Sequence, residues 1–80
     1  MKKYRYSNNS EDYFKNGLEK YDMKDYVGAL SDFSIAIEIN PKSAEVYYHR
    51  GLLYGKEFHK YSKAIKDFTK AIKLKPGYAR

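Results

Sequence analysis

Residues 28 to 41 read GALSDFSIAIEINP, and residues 63 to 76 read KAIKDFTKAIKLKP. Ala, Asp, Phe, Ala, Ile and Pro recur in the same order and spacing. Leu30 pairs with Ile65, Ser34 with Thr69 and Ile39 with Leu74. Within the first stretch Ala29, Phe33, Ala36 and Ile37 fall at i, i+4, i+7 and i+8, one stripe of a 3.6-residue helix, whereas a strand would alternate. Pro41 closes this helix, because its ring cannot continue it and it biases Asn40 away from helical angles. The copy runs from about Lys63 to Lys75 and ends at Pro76 and Gly77 in the same way. Small Ala at two stripe positions admits another helix, and the Phe between them fills the space. Each stretch is therefore one half of a packed helix pair.

The other half lies upstream. YFKNGL from Tyr13 is matched by YYHRGL from Tyr47 at an offset of 34, so Tyr13, Gly17 and Tyr47, Gly51 repeat an aromatic and a glycine at i and i+4. A glycine inside a helix costs about 1 kcal/mol against alanine, so its recurrence on one face points to close helix approach. These first helices are expected to start near Ser10 and Ser43 as N-caps, with Glu11, Asp12 and Glu45 favourable against the dipole in the first turn. Tyr26 and Tyr61 precede Ala29 and Ala64 by three residues at an offset of 35, so one residue is inserted between Leu52 and Tyr61, expected in the turn.

Helix, short turn, helix and terminating proline thus recur every 34 to 35 residues, a period that marks a solenoid of helical hairpins. The series aromatic, Gly, aromatic, Ala, Phe, Ala, Pro at these spacings resembles the tetratricopeptide repeat (TPR) family. The resemblance implies an all-α fold of tandem antiparallel helical hairpins, about four helices, with an N-terminal arm over 1–9, repeat one over 10–43, repeat two over 44–78, and 79–80 as a tail or the start of a further unit. The chain departs from the family pattern in its turns. Lys24 stands near the usual turn glycine of repeat one, and repeat two has the longer GKEFHK. Asn16 replaces a large apolar residue, and Lys20 stands where repeat two has Tyr54, with Tyr21 the candidate substitute one position later.

In solenoids of this family the first helix of each unit lines a concave groove for a peptide. Carried onto this chain, the resemblance nominates Phe14, Leu18 and Tyr21 with Tyr48, His49 and Leu52 as a partner-binding groove. Helical arithmetic agrees: Phe14, Leu18 and Tyr21 are i, i+4 and i+7, and Tyr48 and Leu52 repeat the first two. With Tyr13, Gly17, Tyr47 and Gly51 the first helices are apolar on more than one face, so each has two things to bury against. One is the second helix. The other is either further core, including the arm MKKYRY with Tyr4 and Tyr6, or an apolar segment of a protein or peptide partner. The subgroup of the family that clamps a terminal carboxylate with Lys and Asn is not matched, since Phe14, Leu18 and His49 occupy those places.

Charge and composition bound the rest. At 80 residues there is room for one small domain, which buries only about 60% of its unfolded surface. The net charge is +6, and its whole excess lies in residues 44–80, with nine Lys/Arg against three Asp/Glu. Lys63, Lys66, Lys70 and Lys73 form a stripe at i, i+3, i+7 and i+10 on the last helix. It offers a polyanion site for RNA or an anionic surface, though any surface helix carries such a stripe and no arginine-and-aromatic interleaving marks base reading. Ile65, Ile72 and Leu74 are expected to lie uncovered at the end of a two-unit array, a face that a second copy, a longer chain or a partner could cover. No catalytic constellation is found. Glu11 with Asp12 and Asp22 with Asp25 read as solvated acids. Cysteine is absent and the two histidines, His49 and His59, stand ten apart, so neither a metal site nor a cofactor is expected. No run approaches the roughly 18 apolar residues of a membrane span, and a cytoplasmic protein without enzymatic activity is the default expectation.

Overall fold

The computed structural model describes residues 9–77. The expected arm, apart from Asn9, and the tail at 79–80 fall outside these. The described residues contain four α-helices and no strand, as the repeat predicts: α1 over Ser10–Asp22, α2 over Tyr26–Ile39, α3 over Ala44–Leu52 and α4 over Tyr61–Leu74, with a π-helical turn over Leu53–Glu57 continuing α3. The chain divides into two compact units between Pro41 and Lys42. In the first, α1 packs on α2; in the second, α3 packs on α4.

The caps follow local chemistry. Asn9, not Ser10, caps α1: its side-chain oxygen accepts from the Glu11 amide at 2.9 Å. Ser10 is the first helical residue, and its hydroxyl donates to the Ala36 carbonyl at 3.1 Å, tying the start of α1 to the end of α2. Ser43 occupies the cap position of α3 without a side-chain cap bond. Asp25 caps α2 by accepting from the Gly28 amide at 3.0 Å. Both second helices stop where proline requires: Asn40 at φ −132° and Lys75 at φ −147° are extended before Pro41 and Pro76.

The turn of the first unit closes as a Schellman motif. The Lys24 amide donates to the Tyr21 carbonyl at 2.9 Å and the Asp25 amide to the Lys20 carbonyl at 2.8 Å, with Lys24 left-handed at φ 65°. A lysine thus takes the backbone conformation that usually favours glycine. His59 repeats it at φ 54°. The residue inserted in the second unit lies in the helix, not in the turn. Where the Met23 amide reaches back four residues to Glu19 in the first unit, the Phe58 amide reaches back five to Leu53 at 3.2 Å, and the Lys60 amide meets Tyr54 at 2.8 Å. One widened helical turn absorbs the extra residue, and the corner leaves in the same left-handed conformation.

Each core centres on a phenylalanine against a glycine. Tyr13, Ala29, Phe33 and Ala36 are buried in the first unit, and Tyr47, Leu53, Ala64 and Ala71 in the second. A Cβ on Gly17 would stand 2.6 Å from the Phe33 ring, and one on Gly51 would stand 2.8 Å from the Phe68 ring. The recurring glycines therefore mark a close approach in each pair, as their spacing predicts.

Candidate partner-binding surface

In α1 Tyr13 and Gly17 are buried, Gly17 against the Phe33 ring of α2. Phe14, Leu18 and Tyr21, offset around the helix, are each half-buried. Phe14 leans on Phe33 with ring centroids 5.9 Å apart, and Tyr21 on Tyr26 at 5.5 Å. Phe33 is thereby held between Gly17 and Phe14. The second unit repeats this: Tyr48 tilts against Phe68 at 5.8 Å and meets His49 nearly edge-on at 5.6 Å. His49 and Leu52 are half-buried like their counterparts. All six residues are half-buried and keep part of their surface exposed. Burial pushes the His49 imidazole below its ordinary range, and the nearby Glu45 carboxylate opposes this.

The polar centre of each unit is not among the residues nominated from sequence. Asp32 and Asp67 lie on the buried sides of α2 and α4, 0% and 5% exposed. Lys20 meets Asp32 with Nζ 2.9 Å from Oδ2, although neither Asp32 oxygen receives an aligned hydrogen bond, so charge holds this pair. Arg50 donates twice to Asp67, Nε to Oδ2 at 2.8 Å and Nη2 to Oδ1 at 2.9 Å. Its guanidinium also lies 5.9 Å from the Tyr47 ring centre and 5.6 Å from that of Tyr54. The hydrogen bond to Asp67 raises the Arg50 pKa further, against the opposing effect of burial. The available signal was an aspartate recurring inside an apolar stripe. Its partners cannot be read by periodicity, because Lys20 and Arg50 are not equivalent: Arg50 corresponds to Asn16, and Lys20 to Tyr54.

The lysines of α4 are all exposed. Lys63 places its ammonium 5.8 Å from the Tyr54 ring centre. Lys66, Lys70 and Lys73 border an open depression of about 400 Å³ that also includes Tyr47, Ile65, Asp67 and Thr69. Of the residues expected to lie uncovered, Ile65 is 63% and Ile72 47% exposed, while Leu74 is half-buried and lines a different depression with Ser43 and Ala44. Among the described residues no group of His, Cys, Asp or Glu is arranged to hold a metal ion, and no helix is long and apolar enough to cross a membrane.

A family model described as "TPR repeat" matches residues 17–57, and one described as "Tetratricopeptide repeat" matches residues 44–78. Human serine/threonine-protein phosphatase 5 is 38% identical over 71 residues, 89% of this chain and 13% of that protein. A TPR repeat-containing protein of Methanocaldococcus jannaschii is 33% identical over 66 residues, 82% of the chain and 12% of that protein. The UDP-N-acetylglucosamine–peptide N-acetylglucosaminyltransferase of Giardia intestinalis is 46% identical over 48 residues, 60% of the chain and 3% of that protein. The chain thus spans at most about an eighth of the length of these relatives. The crystal structure of MamA superposes with a TM-score of 0.85 and 30% identity over 89% of this chain and 41% of MamA.

Proposed function

This chain belongs to the tetratricopeptide repeat family, and on that premise we propose that it is a non-catalytic interaction module that takes an apolar segment of a protein partner on the outward sides of α1 and α3. The observation that carries this reading is the division of surface in both first helices. While Tyr13, Gly17, Tyr47 and Gly51 are buried, with the two glycines against Phe33 and Phe68, Phe14, Leu18, Tyr21, Tyr48, His49 and Leu52 still keep part of their surface outside. Rings held from behind by Phe33, Tyr26 and Phe68 reach the surface with little freedom left to lose, which favours them as anchors. Leu18 in α1 and Leu52 in α3 each add apolar surface rather than charge recognition. The enzymatic names among the relatives belong to proteins of which this chain matches a small part.

The test is affinity capture from the native cell with Leu18→Glu and Leu52→Glu chains beside the unsubstituted one, with helicity checked by circular dichroism. Both positions are half-buried at the helix surface, so the fold is expected to persist. Loss of the captured partner from the substituted chains supports the reading, and capture that survives both substitutions overturns it.

A further inference from the structure

The outer side of α4 carries two parallel stripes. Ile65, Thr69 and Ile72 fall at i, i+4 and i+7, and Lys66, Lys70 and Lys73 repeat the spacing one residue later. All six are exposed, and five of them, all but Ile72, edge the depression beside Tyr47. Asp67 adds no free negative charge there, because both of its oxygens accept from Arg50. Among the described residues none of the three lysines has a carboxylate partner. Nor does the repeat itself require them: the corresponding residues of α2 are Ser31, Ile35 and Glu38. The basic flank is particular to the second unit and runs alongside an apolar stripe.

We propose that this face docks an acidic amphipathic helix of a partner protein. Apolar side chains of that helix, at i, i+3 or i+4, and i+7, lie over Ile65, Ile72 and the depression at Tyr47, and Asp or Glu on its flank reach Lys66, Lys70 and Lys73. A nucleic acid would use the lysines and leave both isoleucines against phosphate. A second copy of this chain brings the same +6 charge to a basic face, so like charges oppose the contact. An acidic helix satisfies both stripes together. The face lies on α4, apart from the α1 and α3 residues proposed above, and does not depend on that reading.

The experiment titrates the full chain, labelled with ¹⁵N, with a synthetic amphipathic peptide bearing a leucine stripe flanked by Glu, with its isomer bearing Lys in place of Glu, and with a uridine oligonucleotide. Binding of the Glu peptide should shift the amides around Ile65 to Lys73 and weaken as salt rises. Ile65→Ser and Ile72→Ser should each weaken it by roughly tenfold, as should neutralising Lys66, Lys70 and Lys73 together, while Leu18→Glu leaves it unchanged. Equal binding of the Lys peptide overturns the proposal, as does failure of the Glu peptide to bind. So do oligonucleotide binding that outcompetes the Glu peptide and ignores both isoleucines, and light scattering that shows a dimer dissolved by Ile65→Ser. Because these isoleucines are exposed, the variants retain the fold, and the amide spectrum of the free chain verifies this.

Discussion

Arg50 grips Asp67 through two nitrogens, 2.8 and 2.9 Å from the two carboxylate oxygens, while the equivalent aspartate of the first unit, Asp32, meets the single Lys20 ammonium at 2.9 Å among the described residues. The same buried acid is neutralised from two places one helical turn apart. A two-pronged guanidinium fixes direction as well as charge, whereas an ammonium fixes charge alone.

Removing either cation strands a buried carboxylate. Lys20→Ala is expected to destabilise the chain by about 3 kcal/mol, the lower end for breaking a buried pair, because the lysine is partly exposed. Asn16→Arg added to Lys20→Ala transplants the arrangement of the second unit and should recover part of the loss in urea unfolding. No recovery would mean that Arg50 depends on its tyrosine neighbours rather than on its position.

Gly17→Ala sets two effects against each other. The intrinsic helix preference favours alanine by about 1 kcal/mol, but the new methyl would stand 2.6 Å from the Phe33 ring, and overpacking of this kind costs about 1 to 3 kcal/mol. Steric conflict is expected to prevail, with a lower urea midpoint. Gly51→Ala should behave alike against Phe68.

Lys24 holds a left-handed conformation at φ 65° without the glycine that usually occupies such a corner. Lys24→Gly relieves a strain of about 1 kcal/mol and gives some of it back as unfolded-chain entropy. A rise of a few degrees in the melting temperature is expected, and a fall would show that the lysine side chain contributes more than its backbone costs.

Protonation of His49 opposes folding. Its folded pKa is below the usual value near 6.5 through burial, so the unfolded chain binds the proton more readily. This contribution to stability is fully present above about pH 6.5 and is lost as the pH falls through the folded pKa. Melting temperatures recorded from about pH 7.5 to 5 should decline less steeply in His49→Gln than in the unsubstituted chain; parallel declines would exclude His49 as the cause.

The elements legible in sequence are those imposed by sterics within one helix. Pro41 and Pro76 stop helices wherever they stand, and Gly17 with Phe33 recurs as Gly51 with Phe68 because a ring needs the missing methyl. Asn9 was obscured by Ser10, an equally good cap one residue later. Tyr48 and Phe14 resisted assignment to core or surface for a physical reason: each ring serves both. Lys20 and Arg50 were hidden because periodicity reveals only what both units solve alike, and the two units neutralise their aspartates differently.

The widened turn at Leu53–Glu57 bears on how such chains change over evolutionary time. An added codon need not fall in a loop to be harmless. Here it enters a helix, and the carbonyls exchange partners so that Lys24 and His59 still end at like corners. A duplicated hairpin built this way can differ in length from its copy and still leave its first helix through a left-handed residue, so an offset that shifts from 34 to 35 does not mark a different corner.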